Sequence, residues 1–128
     1  FGFFLSSTPG LSQESGGSQA EVDAQGISTC TLEVDIVGAI GPASLDIINR
    51  AHDRAEKKKC SSILLQINTP GGSLQSTRLI VEKILNSDIP YLCLVTPAGA
   101  HAGSAGAIIL QACHFSGALE TTNLGAAT

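Results

Sequence analysis

Hydrophobic and polar positions predict strands and helices in alternation through most of this chain. In "TLEVDIV" (31–37) every second residue is apolar, which is typical of a strand with one buried face. "SILLQI" (62–67) is a continuous apolar run, as expected of a strand buried on both faces. "YLCLV" (91–95) predicts the next strand, and "FSGAL" (115–119) predicts a last short one.

The segments between these strands carry apolar residues at helical spacing and predict three helices, over 41–59, 74–86 and 104–113. Two of the helices have a face expected to point inward: Leu45, Ile48, Ala51 and Ala55 in the first, and Ile80, Val81, Ile84 and Leu85 in the second. The third is almost wholly apolar. This alternation with short links predicts an α/β fold with a mainly parallel sheet and right-handed crossovers.

Length and composition limit the chain to one domain without a nucleic-acid surface. Its 128 residues are enough for a single core. Hydrophobic residues make up 43% of the chain and charged residues 14%, and the net charge of -4 argues against nucleic acid as a partner.

The first 28 residues differ in composition from the rest. The apolar start, residues 1–7, resembles the tail of a signal peptide or membrane anchor. Residues 8–28 are rich in Ser, Gly and Gln, which predicts a flexible linker. We therefore expect the folded domain to occupy 29–128, on the exported face of a membrane.

The four cysteines form no CxxC pair and have no zinc-like spacing. Cys93 and Cys113 lie in apolar runs, so we expect ordinary buried thiols and no metal site. Disulfides are the alternative if the protein is exported.

Two loops that leave predicted strand ends carry the candidate chemistry. They are "NTPGG" (68–72) and "TPAGAHAG" (96–103), and open α/β sheets form sites at such ends. Gly71 and Gly72 precede a helix, where unpaired N–H groups can stabilise an oxyanion, although a plain turn is the alternative. The absence of the Gly-Lys-Ser/Thr ending argues against a phosphate-binding loop.

Ser104 stands at the start of the third helix and has two interpretations. Serine is a favoured N-cap residue, and a cap is the simpler role. The small residues around it, in "AGSAG", leave the hydroxyl uncrowded and are similar to a nucleophile elbow, although Ala102 replaces the first glycine. A serine nucleophile also needs a base.

Three motifs taken together are more specific: "NTPGG", "GSAG" (103–106) and "TNLGAA" (122–127). With them the chain strongly resembles the membrane-bound ClpP-class serine proteases of the NfeD family, the stomatin-operon partners. The resemblance implies a ClpP/crotonase-like fold of repeated β-β-α units, truncated here at the C-terminus. It also implies peptide-bond hydrolysis, with Ser104 as nucleophile and backbone N–H groups of Gly71 or Gly72 and of Ala105 as oxyanion donors. Other loop residues are expected to line the substrate cleft: Pro70, Ser73, Gly103 and His101.

The general base is the difficulty. The family implies a Ser-Lys dyad, but every Lys and Arg here lies at or before Lys83, about 14 Å along a helix from the site. His114 is also too far along its helix, His101 is close in sequence but has no such role in the family, and His52 is expected to be solvated. We therefore expect the lysine beyond Thr128 and little activity from these residues alone. "ALET" (118–121) departs from the Pro-Gly turn of relatives.

The sequence thus predicts a membrane-associated serine endopeptidase without a cofactor. Its substrates would be peptides or apolar segments of membrane proteins, a stomatin-like protein is a possible partner, and we expect a homo-oligomer. A non-catalytic scaffold for a stomatin-like protein is the alternative. A crotonase-like acyl-CoA enzyme ranks last because no basic groups flank the loops to bind the CoA phosphates.

Overall fold

The computed structural model describes residues 30–125, which form a parallel sheet with three helices. The predicted leader (1–7) and linker (8–28) lie outside this range. In chain order the elements are β1 (Thr31–Val37), α1 (Pro42–Lys58), β2 (Ser62–Asn68), α2 (Leu74–Leu85), β3 (Tyr91–Val95), β4 (His101–Ala102), α3 (Ala105–Ala112), β5 (Phe115–Ala118) and β6 (Asn123–Leu124). None of the helices in this range combines the length and the apolar composition needed to cross a membrane.

The main sheet has the strand order β1-β2-β3-β5, and all its neighbours are parallel. β4 and β6 form a second, two-stranded parallel sheet. The predicted α/β class with a mainly parallel sheet is confirmed. The short strands β4 and β6 lie where the sequence predicted only loop, because two residues are too few to give a strand pattern.

A backbone repeat underlies this order. Each long strand is followed by a short extended segment, and the first three of these segments lead into a helix. The short segments pair with one another in parallel, through Ile40 with Gly72, Thr69 with Ala102, and Ala102 with Leu124. This is the expected repeated β-β-α arrangement. The sequence does not show it as a repeat because the pairing is made by backbone atoms.

The core lies between the main sheet and the helices. The buried strand residues alternate along the chain: Leu32, Val34 and Ile36 in β1, Ile63, Leu65 and Ile67 in β2, and Tyr91, Cys93 and Val95 in β3. The helices contribute Ile48 and Ala55, Ile80 and Ile84, and Ile109. Each buried aliphatic side chain of Val, Leu or Ile size stabilises the fold by about 1.5–3 kcal/mol.

Two expectations about burial were wrong. Leu85 does not point inward but is 64% exposed, because the buried face of α2 is formed by Ser76, Thr77, Ile80 and Ile84. The prediction that 62–67 is buried on both faces also fails. Leu64 and Gln66 are only half-buried, and β1 exposes the same face, so the helices cover one side of the sheet.

His52 is buried rather than solvated, with only 9% of its surface exposed. Its Nδ1 lies 2.8 Å from the hydroxyl of the fully buried Tyr91, and its Nε2 lies 3.3 Å from Glu56 Oε2. Burial raises the pKa of Tyr91, and the Glu56 carboxylate raises it further. The Tyr91 hydroxyl therefore stays protonated, and its hydrogen bond with His52 Nδ1 ties α1 to β3.

The expectation of free buried thiols was also wrong, because the cysteines form two disulfides. Cys30 directly precedes β1 and Cys60 lies two residues before the adjacent strand β2, with their Cα atoms 4.4 Å apart. Cys113, at the end of α3, is bonded to Cys93 on β3, with Cα atoms 6.1 Å apart. Sequence spacing could not reveal these pairs, since parallel strand pairing brings Cys30 and Cys60 together and the packing of α3 on the sheet brings Cys113 to Cys93.

Gly106 on α3 packs so closely on Thr69 and Ala102 that a larger residue there is expected to lower stability. A Cβ at Gly106 would lie 2.7 Å from Thr69 Cγ2 and 3.3 Å from Ala102 Cβ. We expect Gly106→Ala to lower the free energy of unfolding by about 1–3 kcal/mol, as overpacking does. Gly117→Ala is the matched control, since its Cβ would make an ordinary 3.5 Å contact with Leu94. Urea denaturation of both variants tests this, and equal stabilities would contradict it.

Candidate active site

Ser104 joins β4 to α3 and has an unusual backbone. Its φ of 42° and ψ of -99° place it in a left-handed region that costs a non-glycine residue about 1–3 kcal/mol. It occupies the N-cap position, yet its side chain makes no capping hydrogen bond. The residue is exposed, and its hydroxyl bonds to no group within residues 30–125. The simple helix cap is therefore absent, and the hydroxyl is uncommitted.

Close backbone contacts hold Ser104 in this conformation. A Cβ at Gly103 would lie 2.7 Å from the carbonyl oxygen of Pro70, and one at Gly125 would lie 2.6 Å from Gly103 Cα. The Gly103 N–H donates to Thr69 O at 2.9 Å, and the Gly125 N–H donates to Ala102 O at 2.9 Å. The turn at Ser104 is thus clamped between the loop at 69–72 and the end of β6.

The glycines of the "NTPGG" loop allow a second close approach. Gly71 has a φ of 124°, and a Cβ there would lie 3.1 Å from Ser104 Cβ. A Cβ at Gly72 would overlap the carbonyl of Ile40. Ile40 fixes this loop with two hydrogen bonds of 2.8 Å, donating to Gly71 O and accepting from Ser73 N–H. The loop therefore lies against the serine.

The three amides predicted as oxyanion donors are not equivalent. The Gly71 N–H donates to Thr69 Oγ1 at 3.1 Å, and that hydroxyl in turn donates to Gly71 O at 3.2 Å. The N–H groups of Gly72 and Ala105 donate to no other group in the described part of the chain. Ala105 is also the first residue of α3, where the helix dipole favours negative charge.

The other residues predicted to line the cleft differ in exposure and in hydrogen bonding. Pro70 is exposed and covers Gly103, whereas the Ser73 hydroxyl is used as the N-cap of α2 and accepts from Ser76 N–H at 3.1 Å. His101 is exposed on β4 and its Nδ1 lies 3.5 Å from Asn123 Nδ2. The backbone N–H of His101 donates to Asn68 Oδ1 at 3.1 Å.

Two polar residues at the site were missed from the sequence. Thr69 is fully buried and sets the conformation of the Gly71 peptide through its hydroxyl. Asn123 contacts His101 from β6, which was not predicted as a strand. The motifs containing both residues were recognised, but their side-chain roles depend on backbone contacts that no spacing encodes.

Within residues 30–125 the Ser104 hydroxyl has no basic partner. His114 accepts a hydrogen bond from Tyr91 N–H at 3.0 Å, at the far end of β3. Lys83 lies with His52 at a groove between α1 and α2. His101, the nearest in sequence, makes no hydrogen bond with the serine. In the same range, no group of three His, Cys, Asp or Glu side chains is arranged to hold a metal ion.

Comparison with known proteins agrees with this geometry. No protein-family model matches the chain. A curated relative, the membrane-bound protease PH1510 of Pyrococcus horikoshii, is 34% identical over 91 residues, which is 71% of this chain and 21% of the relative. The chain resembles a membrane-bound protease. The resemblance predicted from the three motifs is confirmed.

Solved structures extend the resemblance to the fold. A lysine-to-alanine mutant of the 1510-N membrane-bound stomatin-specific protease, in complex with a substrate peptide, matches with a TM-score of 0.72 and 32% identity. A serine-to-alanine mutant of the same protease matches with a TM-score of 0.73 and 31% identity. Each match covers 75% of this chain, which spans 44% and 46% of the two solved chains.

The backbone of Ser104 predicts an unusual effect on stability. Ser104→Gly relieves a positive φ that costs about 1–3 kcal/mol, offset in part by the 0.5–1 kcal/mol flexibility cost of glycine. We expect this variant to be about 1 kcal/mol more stable to denaturant than the unchanged protein. Ser104→Ala is the matched control and should change stability little, because the hydroxyl bonds to nothing in the described chain. A destabilised Ser104→Gly protein would show that the conformation is unstrained.

Proposed function

We propose that this chain carries the nucleophile of a membrane-associated serine peptidase. The observation that carries the proposal is the arrangement at Ser104. Its hydroxyl bonds to no other group in the described residues, it has a positive φ, and the N–H groups of Ala105 and of Gly72 in the adjoining loop donate to no other group there. The similarity to PH1510 and to the 1510-N structures supports the same reaction class. The chain spans about a fifth of PH1510, so the activity proposed is that of the whole protein.

The proposed reaction is acyl transfer to serine. Ser104 Oγ attacks the carbonyl carbon of the scissile peptide bond while a base removes the hydroxyl proton. The carbonyl oxygen becomes an oxyanion that accepts hydrogen bonds from Gly72 and Ala105, each donor being worth about 2.7–4 kcal/mol in the transition state. The amine then leaves with a proton, and water hydrolyses the acyl-enzyme. We assign Gly72 rather than Gly71 because the Gly71 N–H already donates to Thr69.

We propose a lysine as the base, in a Ser-Lys dyad. The solved mutants of the 1510-N protease replace a serine and a lysine, which supports this pair of roles. No lysine within residues 30–125 bonds to Ser104, so the base would come from sequence beyond residue 128. A lysine must be desolvated to be neutral near pH 7 and able to take a proton. Residues 30–125 alone would then have little activity.

The proposed substrates are apolar peptide segments of membrane proteins. One solved relative, from Pyrococcus horikoshii, is a membrane protease specific for a stomatin homologue, and a stomatin-like protein is the partner that this similarity favours. In the described part of the chain no Lys or His side chain bonds to the Ser104 hydroxyl. This observation keeps a non-catalytic scaffold for a stomatin-like protein as the second candidate function. A homo-oligomer stays a prediction.

The nucleophile is tested by substitution in the intact protein. Ser104→Ala should reduce cleavage of an apolar peptide by about 10³-fold or more and abolish labelling by a fluorophosphonate, because no other group can form the acyl-enzyme. Ser61→Ala, at an exposed serine between α1 and β2, is the matched control and should keep both. An intact protein that neither cleaves nor takes the label would favour the scaffold.

We propose that the domain lies on the exported face of a membrane. PH1510 is a membrane-bound protease, and the two disulfides give a second, independent support, since disulfides persist in oxidising compartments. The Cys30–Cys60 bond ties the strand-starting end of the sheet, and the Cys93–Cys113 bond ties the middle of β3 to the end of α3, the end of that helix away from Ser104. This fits structural bonds that stay closed.

Thiol chemistry tests the compartment. In protein isolated from its native membrane and unfolded without reductant, alkylation should label none of the four cysteines, and reduction should expose all four to peptide mass spectrometry. The double substitution of Cys30 and Cys60 by Ala should cost about 3 kcal/mol of unfolding free energy, because the bond closes a chain segment of 30 residues. Four free thiols in the unreduced native sample would contradict an oxidising location.

A further inference from the structure

Thr69 is a fully buried polar residue at the point where the segments of the candidate active site meet. Its backbone N–H donates to His101 O at 2.7 Å, and its carbonyl oxygen accepts from the Gly103 N–H at 2.9 Å. Its methyl carbon would lie 2.7 Å from a Cβ at Gly106, in the first turn of α3. These contacts fix the backbone and the methyl group of Thr69 against the segments on both sides of the serine.

The hydroxyl of Thr69 bonds to both backbone polar groups of Gly71. Its oxygen accepts from the Gly71 N–H at 3.1 Å, and its proton is donated to Gly71 O at 3.2 Å. Gly71 is buried, and its N–H has the Thr69 hydroxyl as its only partner in the described part of the chain. Removal of the hydroxyl would therefore leave a buried donor unsatisfied, which favours a rearrangement of the loop.

The bonds to Gly71 O also set the direction of the Gly72 N–H, because the two groups belong to one peptide unit. The Ile40 N–H donates to this oxygen at 2.8 Å, in addition to the Thr69 hydroxyl. In a planar trans peptide the C=O and the N–H point in opposite directions. The Gly72 N–H therefore points away from Thr69 and Ile40, on an exposed residue.

This peptide unit lies against the serine and is free of steric restraint on both sides. A Cβ at Gly71 would lie 3.1 Å from Ser104 Cβ and 3.6 Å from Ala105 N. The flanking residues are both glycines with positive φ, and glycine lets a peptide unit turn over at little steric cost. Turned over, the unit would present the Gly71 carbonyl oxygen, an acceptor, where it now presents the Gly72 N–H. Hydrogen bonds to Gly71 must therefore hold it.

We propose that Thr69 is a positioning residue, whose hydroxyl holds the Gly71–Gly72 peptide in the orientation in which the Gly72 N–H donates to the oxyanion. This rests on the proposed peptidase function and adds a residue on which its rate depends. Thr69 is buried and acts only through this peptide. Because the donor is needed where charge develops on the substrate carbonyl oxygen, loss of the hydroxyl lowers kcat and leaves KM nearly unchanged.

Substitution of Thr69 in the intact protein tests this role. Thr69→Val has nearly the same shape and keeps the methyl group but lacks the hydroxyl. We expect its kcat for an apolar peptide to fall about 10²-fold at a nearly unchanged KM. Thr69→Ser keeps the hydroxyl and should retain most of kcat. If thermal melting shows that Thr69→Val does not fold, Thr69→Ala takes its place, since it differs from Thr69→Ser by the hydroxyl alone.

Thr77→Val is the matched control. Thr77 is as buried as Thr69 (1% exposed), and its hydroxyl donates to a backbone oxygen, Ser73 O, at 2.7 Å. It lies within α2, away from the Gly71–Gly72 peptide. This variant loses a buried hydroxyl and its hydrogen bond as Thr69→Val does, and it should keep both kcat and KM.

A peptide aldehyde gives a second readout. The serine oxygen adds to the aldehyde carbon, the serine proton passes to the base, and the aldehyde oxygen becomes an oxyanion that needs the same donors. Thr69→Val should weaken binding of the aldehyde about 10²-fold. In a Ser104→Ala background, the same substitution should leave the affinity for the uncleaved peptide unchanged, because that peptide carries no oxyanion.

The outcomes separate the inference from the proposed function. Ser104-dependent cleavage with kcat unchanged or raised in Thr69→Val overturns the inference and leaves the peptidase. Equal losses in Thr69→Val and Thr69→Ser, or in Thr69→Val and Thr77→Val, also overturn it, because packing or stability would then explain the loss. An intact unsubstituted protein that neither cleaves the peptide nor takes a fluorophosphonate label overturns the proposed function, and the inference with it.

Discussion

The site depends on backbones that approach one another more closely than any side chain would allow. Gly103 packs on Pro70, Gly125 packs on Gly103, and Gly72 packs on Ile40. These contacts stack the short segments of successive β-β-α units, and the stack places the "NTPGG" loop against Ser104. A Cβ at any of these glycines would overlap backbone atoms of the neighbouring segment, so the segments would have to move apart and the serine would shift relative to the "NTPGG" loop.

The two ends of the sheet are stabilised in different ways. At the end where the strands begin, the Cys30–Cys60 disulfide and the His52–Tyr91 hydrogen bond join neighbouring elements, and the Cys93–Cys113 disulfide joins the middle of β3 to the end of α3. At the other end the chain leaves polar groups uncommitted: the Ser104 hydroxyl and two backbone amides. Unpaired groups and a positive φ cost stability, and only a well-anchored surrounding structure maintains them. Backbone strain of this kind is typical of active sites and ligand-binding sites.

The sequence predicted the long elements well because their patterns are strong and local. Alternating residues in 31–37 and the apolar run at 91–95 became strands with the expected bounds. Leu85 failed because one residue at a helix end can rotate out of the buried face, and His52 failed because its partner Tyr91 lies 39 positions away. The disulfides were missed for the same reason: strand pairing joins Cys30 to Cys60, and the packing of α3 on β3 joins Cys113 to Cys93, both between segments distant in sequence.

The candidate site was accessible to sequence reasoning only in part. Small residues around Ser104 and the paired glycines indicated where chemistry would lie, since such residues permit close backbone approach. Whether the hydroxyl caps the helix, and which glycine keeps a free amide, depend on φ at Ser104 and on the Thr69 hydroxyl. These are tertiary facts. The Thr69 hydroxyl accepts from the Gly71 N–H, whereas the Gly72 N–H donates to no group in the described part of the chain. In the oxyanion hole that we propose, the buried threonine therefore favours Gly72 over Gly71 as the donor.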